Sequence, residues 1–295
     1  MAPWGLGCPV YEIAPHGIGR LSALRGSGRA AGARLRQLAG VLASIIFPAP
    51  CGLCGEILED ASRIPICQPC LASLGRWTGP LCRKCGRPLV SPVAAEGLTA
   101  PLCHGCRRGL YDFDFARSYG AYSPAMARAI VLLKYHQVTP LAGWFAGRLL
   151  PLAREHASQF AADVVVPVPL HPARQRERGY NQAEMIARPL ARQIGLPCRS
   201  CLLVRTRPRP EKLRLTLRER WRSVRNAFVT CEGSQVDKLR VILVDDVLTT
   251  GVTLDACSRA LRQAGATYVA ALTVARAVPR SQGLGAQPLP KDMNQ

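Results

Sequence analysis

Eight of the thirteen cysteines fall into four Cys-x-x-Cys pairs: Cys51/Cys54, Cys67/Cys70, Cys82/Cys85 and Cys103/Cys106. Two residues between cysteines let a tight turn present two thiolates to one metal, and four thiolates around Zn²⁺ make a closed tetrahedral site. Cys54 and Cys85 are each followed by a glycine, Gly55 and Gly86, which takes the positive φ of a knuckle turn without steric cost. Cys70 and Cys106 are not, so a knuckle followed by a plain pair occurs twice. The pattern reads as two sequential zinc ribbons, 51/54 with 67/70 and 82/85 with 103/106; a crossed pairing satisfies the spacing too. A closed site has no open coordination position, so zinc there is structural. Redox chemistry at these pairs would want a strand and helix of thioredoxin type, which none of them has. His104 reads as a bystander inside the last pair, and Cys198/Cys201 as chance or core.

The second chemical signal is Val241–Leu254, VILVDDVLTTGVTL. An apolar strand ends in two carboxylates, Asp245 and Asp246. Thr249, Thr250, Gly251 and Val252 follow, and a helix opens near Thr253. Backbone N–H groups and hydroxyls at a helix N-terminus favour a phosphate through hydrogen bonds and the helix dipole. The two acids then stand about a sugar's width away, suited to ribose hydroxyls directly or through Mg²⁺. The chain holds no GxxxxGK[ST], which speaks against a P-loop ATPase.

The third signal is charge. The formal net charge is +20, and residues 171–225 hold 15 Arg/Lys against 4 Asp/Glu. A field this concentrated favours a polyanion. Arg174, Arg176 and Arg178 follow a short strand. Arg205, Arg207, Arg209 and Arg214 lie among prolines, which predicts an exposed loop. Arginine with an aromatic ring suits single-stranded nucleic acid, but the stretch contains only Tyr180 and Trp221, so stacking there is sparse.

These residues need a scaffold. Apolar periodicity predicts helices over 33–47, 124–136, 140–156, 181–194 and 254–264, and strands over 163–169, 239–244 and 268–275. Strands alternating with long helices imply an α/β fold with a parallel sheet. The reading divides the chain into a basic extension with a short amphipathic helix (1–47), a double zinc ribbon (48–110), the sheet domain (111–280) and a polar tail (281–295). The longest apolar candidate, Val41–Pro50, is too short to span a bilayer and is broken by Pro48 and Pro50. No basic, apolar, small-residue leader pattern opens the sequence, so a cytoplasmic location is expected.

The acid pair, Thr-Thr-Gly and helix-opening Thr253 resemble the 5-phosphoribosyl-1-pyrophosphate (PRPP) loop of type I phosphoribosyltransferases. Val166–Ala187, VPVPLHPARQRERGYNQAEMIA, and Arg218–Phe228, RERWRSVRNAF, join the cysteine module in resembling the ComF (competence protein F) family. The family's asparagine in the last motif is Ser223 here. The resemblance implies a double zinc ribbon before a type I phosphoribosyltransferase-like domain, with PRPP and Mg²⁺ bound at Asp245, Asp246, Thr249–Thr253. It further implies Arg174, Arg176 and Arg178 near the pyrophosphate. Its biological implication is natural competence: handling of incoming single-stranded DNA beside DNA-uptake proteins. The alternative is an active phosphoribosyltransferase, with Asp245 and Asp246 as catalytic acids and no acceptor base named by the sequence. Lys134, in LLKY, has a counterpart in the family but reads as a helix C-terminal cap, outside the site.

Overall fold

The computed structural model describes residues 49–59, 62–89, 101–208, 219, 223–224 and 226–277. The expected helix over 33–47, the extension before it, the tail, and Arg209, Arg214 and Trp221 lie outside these residues. Along the chain come α1 (Gln68–Ser73) and α2 (His104–Arg107) in the cysteine region, then β1 (Phe115–Ala121), α3 (Pro124–Tyr135) and α4 (Pro140–Glu155). They are followed by β2 (Val164–Pro167), α5 (Pro172–Arg178), α6 (Gln182–Ile194), β3 (Leu203–Arg205), β4 (Phe228–Thr230), β5 (Arg240–Leu248), α7 (Val252–Gln263) and β6 (Tyr268–Arg276).

The sheet is parallel, with strand order β1-β6-β5-β2. β3 and β4 form a separate antiparallel hairpin. Local chemistry sets the long helices. Ser123 accepts the Met126 N–H and Pro124 opens α3, while Asn181 accepts the Ala183 N–H at the start of α6 and Gly195 ends it in the left-handed region. One boundary differs from expectation. β5 does not stop before the acids but runs on to Leu248, because β6 continues beside it and pairs Asp245 with Thr273 and Val247 with Ala275.

Each face of the sheet carries its own core, as strand alternation requires. Ile242 and Val244 pack with α3, α4 and α6 on one face, and Cys51, Leu53, Leu58 and Ile66 join them. Val241 and Leu243 pack with α7 and the hairpin on the other, where Cys82, Cys85, Cys103 and Cys106 join. The two halves of the cysteine region thus serve opposite faces. The first docks on α3: Arg128 Nη1 donates to the Leu53 carbonyl at 2.7 Å. The second docks on β1, where the Ala116 N–H donates to the Lys84 carbonyl at 2.8 Å.

Helix α3 packs in the core of the Ile242/Val244 face. It starts immediately after β1, and its last turn meets Tyr180, whose hydroxyl donates to the Leu133 carbonyl, and Asp246 of β5.

The link between the two cysteine halves runs against β1 with no space left. A Cβ at Gly120 would lie 2.6 Å from the Gly75 carbonyl oxygen. Gly120→Ala should therefore lower stability by roughly 1–3 kcal/mol in urea unfolding, with bound zinc unchanged in a metal assay.

Candidate functional site

Consecutive strand residues face opposite ways, and this divides the acid pair. Asp246 is 5% exposed and points to α3 and α6: Gln182 Nε2 donates to its Oδ1 at 3.4 Å and Lys134 forms an ion pair with Oδ2. Asp245 is half-buried and its Oδ1 accepts the Asp246 N–H at 2.8 Å. The charges follow from these surroundings. Burial and the adjacent Asp246 charge push Asp245 well above the usual carboxylate range. Burial would raise Asp246 as well, but Lys134 outweighs it and holds Asp246 below the usual value. Burial works against the Lys134 ammonium too, and Asp246 still keeps it above the ordinary lysine value.

Lys134 is the residue that sequence reasoning left out. A lysine in the last turn of a helix is an ordinary cap, and nothing in the spacing reveals that the end of α3 meets Asp246. Only the parallel in the LLKY motif pointed to it.

After β5 the chain turns through Thr249 and Thr250 into α7. Gly251 is the N-cap at φ 89°. Two constraints demand glycine: the positive φ, and the Tyr111 ring, which would lie 2.7 Å from an added Cβ. Tyr111 also donates its hydroxyl to the Thr250 carbonyl at 2.8 Å, and burial raises its phenol so that it keeps the proton. The first-turn N–H groups of α7 have no intrahelical acceptors. Beside them, Thr250 Oγ1 is buried with no hydrogen-bond partner among the described residues. A buried hydroxyl without a partner is costly unless a ligand or water completes it.

Tyr111 ties this loop to the second cysteine group. Lys84, between Cys82 and Cys85, donates Nζ to the Tyr111 carbonyl at 2.8 Å, and the Tyr111 ring stacks on Phe113 with centroids 4.9 Å apart. One residue on, the Asp112 N–H donates to Asp255 Oδ1 of α7 at 2.8 Å. Arg259 then bridges Asp255 and Asp112 at 2.8 and 3.1 Å.

The cysteines close sequentially, as the ribbon reading expects and against the crossed alternative. Cys51, Cys54, Cys67 and Cys70 form one group and Cys82, Cys85, Cys103 and Cys106 the other, with all ligand atoms of each group within 4.8 Å of one another. Sulfur separations of 3.7 Å (Cys54–Cys67) and 3.6 Å (Cys85–Cys103) approach the ~3.8 Å edge of a tetrahedron with ~2.3 Å Zn–S bonds. Backbone N–H groups of Cys67 and Cys103 point at Cys51 and Cys82 sulfurs, both at 3.3 Å. At the second group the buried Arg276 directs Nη2 to Cys85 Sγ at 3.7 Å, and Arg117 donates to the Cys82 carbonyl at 3.4 Å. Four thiolates with Zn²⁺ carry two net negative charges, which these two buried cations match. Both donor sets fit structural zinc, which would supply folding energy and leave no coordination position for chemistry.

The arginines divide between two elements. Arg174, Arg176 and Arg178 follow β2 on a helix the sequence reading does not include, α5, which Pro172 opens and Gly179 closes. Arg174 pairs with Glu177 at 2.9 Å, and Arg178 donates to Gln182, the neighbour of Asp246. Arg205 is not in a loop. It ends β3, paired with Phe228 of β4, because side-chain packing on Phe228, 5.3 Å from its guanidinium, holds it in the hairpin. Arg207 is exposed just beyond.

A parallel sheet with a strand–acid pair–Thr-Thr-Gly–helix unit at its carboxyl edge defines a phosphoribosyltransferase-type domain, here built onto a double zinc ribbon. The double zinc ribbon domain family matches residues 42–107 and the phosphoribosyl transferase domain family residues 150–284. DNA utilization protein YhgH of Salmonella typhimurium is 30% identical over 228 residues, 76% of this chain and 96% of that protein. Competence protein F of Haemophilus influenzae is 29% identical over 217 residues, covering 72% and 90%. Competence protein ComFC of Bacillus subtilis is 26% identical over 222 residues, covering 72% and 84%. The chain belongs to the ComF family of these competence and DNA utilization proteins.

Two predictions come from this geometry. Lys134→Met strands a buried carboxylate and should cost about 3 kcal/mol in urea unfolding at neutral pH. Asp246→Asn added to it should recover part of the loss, because a neutral amide needs no counter-charge. The depressed Asp246 contributes stability above its unfolded-state pKa that is lost as pH falls through its folded value, so Lys134→Met should also flatten the acid limb of the stability profile. Separately, Tyr111→Phe removes one hydrogen bond to the loop. At about 1 kcal/mol this should speed amide exchange of residues 249–253 roughly fivefold, and chelation of zinc should speed it further.

Proposed function

We propose that the chain binds PRPP with Mg²⁺ at the end of β5 and uses that site in handling single-stranded DNA during DNA uptake, in the cytoplasm, beside other uptake proteins. The observation that carries the reading is the half-buried Asp245 followed by a loop whose buried Thr250 hydroxyl lacks a partner among the described residues. Thr249, Thr250, Gly251, Val252 and Thr253 would hold the 5′-phosphate. Asp245 and Asp246 would face the ribose hydroxyls and Mg²⁺, and Arg174, Arg176 and Arg178 the pyrophosphate or a DNA backbone. The names of the relatives, DNA utilization protein and competence protein, support the DNA role. So does the excess of arginine over residues 171–225. Among the described residues no helix is long and apolar enough to cross a membrane.

Titration calorimetry with Mg-PRPP tests the pocket. Asp245→Asn and Asp246→Asn should each weaken binding roughly tenfold or more, as expected for losing a hydrogen bond to a charged group. Binding by both variants at wild-type affinity would sink the assignment. Asp245 keeps its proton to higher pH than a free aspartate, and Mg²⁺ needs its anion. Affinity should therefore rise as pH increases through the raised pKa, and Asp245→Asn should remove that part of the pH dependence. Pyrophosphate release with an added base would point to the transferase alternative. For the DNA role, Arg174→Ala, Arg176→Ala and Arg178→Ala together should shallow the salt dependence of oligonucleotide binding by about 2 log units per log unit of salt.

A further inference from the structure

The fold brings to the basic segment an aromatic ring that the sequence keeps elsewhere. Tyr135 closes α3, one residue after Lys134, and is 56% exposed. Arg178 of α5 lies over its ring, with Cζ 4.8 Å from the centroid. Arg178 in turn donates to Gln182, which donates to Asp246. The ring therefore stands beside the acid pair, two side chains away from it. Tyr122, 37% exposed, lies within electrostatic reach of Lys134, Asp246 and Tyr135. A ring this exposed at a helix end buries little area, so the fold gains little from its size.

We propose that Tyr135 and Arg178 form a stacking platform for a nucleobase at the mouth of the acidic site. This rests on the reading of the site as one for PRPP and single-stranded DNA, and names the contact that reads the base. Bases stack on aromatic faces and on guanidinium planes, and such stacking tolerates any sequence because every base has a π-face. Arg178 orients one face of Tyr135 and adds charge for a flanking phosphate. The exposed remainder of the ring takes the base. The chemistry is the same for a base within a DNA strand and for a free base set beside PRPP.

The test uses the full chain, labelled oligo(dT), an abasic oligonucleotide of equal length, and Tyr135→Ala and Tyr135→Phe. Anisotropy titrations are run at several salt concentrations, and circular dichroism checks folding. Wild type should prefer oligo(dT) over the abasic strand by roughly tenfold. Tyr135→Ala should lose most of that preference with its salt slope unchanged, since slope counts phosphates, and Tyr135→Phe should keep it. A second arm uses saturation-transfer NMR of the free nucleobases with Mg-PRPP present. Oligonucleotide binding with no effect of Tyr135→Ala overturns the platform and leaves the DNA reading standing. Absent oligonucleotide binding with a Tyr135-dependent free-base signal supports the platform and overturns the DNA reading. Binding of neither ligand overturns both.

Discussion

Two adjacent carboxylates at the covered end of a parallel strand cannot both be ionised without compensation, and much of the structure answers that constraint. Strand alternation sends them to opposite faces, so each meets a different environment. Asp246 receives a lysine and becomes a fixed anion. Asp245 receives none and holds a proton more tightly than an ordinary aspartate. The difference between the two acids lies in what the helices deliver to them, and the delivery of Lys134 requires the last turn of α3 to end beside Asp246.

That placement explains why the zinc ribbons belong to the same structure. α3 packs on the sheet through Met126, Ala129, Ile130 and Leu133, and its remaining surface takes support from elsewhere. The first ribbon supplies some of it through Arg128 and Leu53, and through Gly52, where any Cβ would strike Leu132 at 2.7 Å. The second ribbon supports the other half of the site, the Thr-Thr-Gly loop, through Tyr111. Cys-rich segments of this length are too small to build a core of their own. Metal closes each one, and its apolar residues then complete one of the two cores of the sheet. The zinc sites are thus remote from any chemistry and still set the positions of both the lysine and the loop.

The parts of this arrangement that were legible in the sequence are those fixed by short-range spacing. Cys-x-x-Cys pairs, the VILV run before Asp245 and the apolar periodicity of 181–194 each carry their structural meaning over a short stretch. Misreadings arose where a distant partner overrides local preference. Aspartate is depleted in strands, so β5 looked finished at Val244, yet β6 keeps pairing to Leu248. The reading leaves Arg174–Arg178 without an element, yet Pro172 at the first helical position and Gly179 past the last give α5 good ends. Arg205 looked like loop because prolines follow it, and only the β4 pairing shows otherwise. Lys134 had no local signal at all, since its partner is over a hundred residues away.

The same long-range logic bears on how the charge is used. Among the described residues of 171–225, α5 carries Arg174, Arg176 and Arg178, of which Arg178 reaches Gln182, the neighbour of Asp246, while Arg205 belongs to the hairpin on the face that carries α7. A polyanion that meets α5 therefore meets the acid pair next to it, where a bare phosphate chain would be repelled by Asp246 were it not already neutralised by Lys134. The ion pair makes an acidic site approachable by an anion, and the tighter hold of Asp245 on its proton limits the charge the second acid adds. An acid pair divided in this way, one member held by a lysine and the other holding its proton more tightly, carries less negative charge than two free carboxylates would.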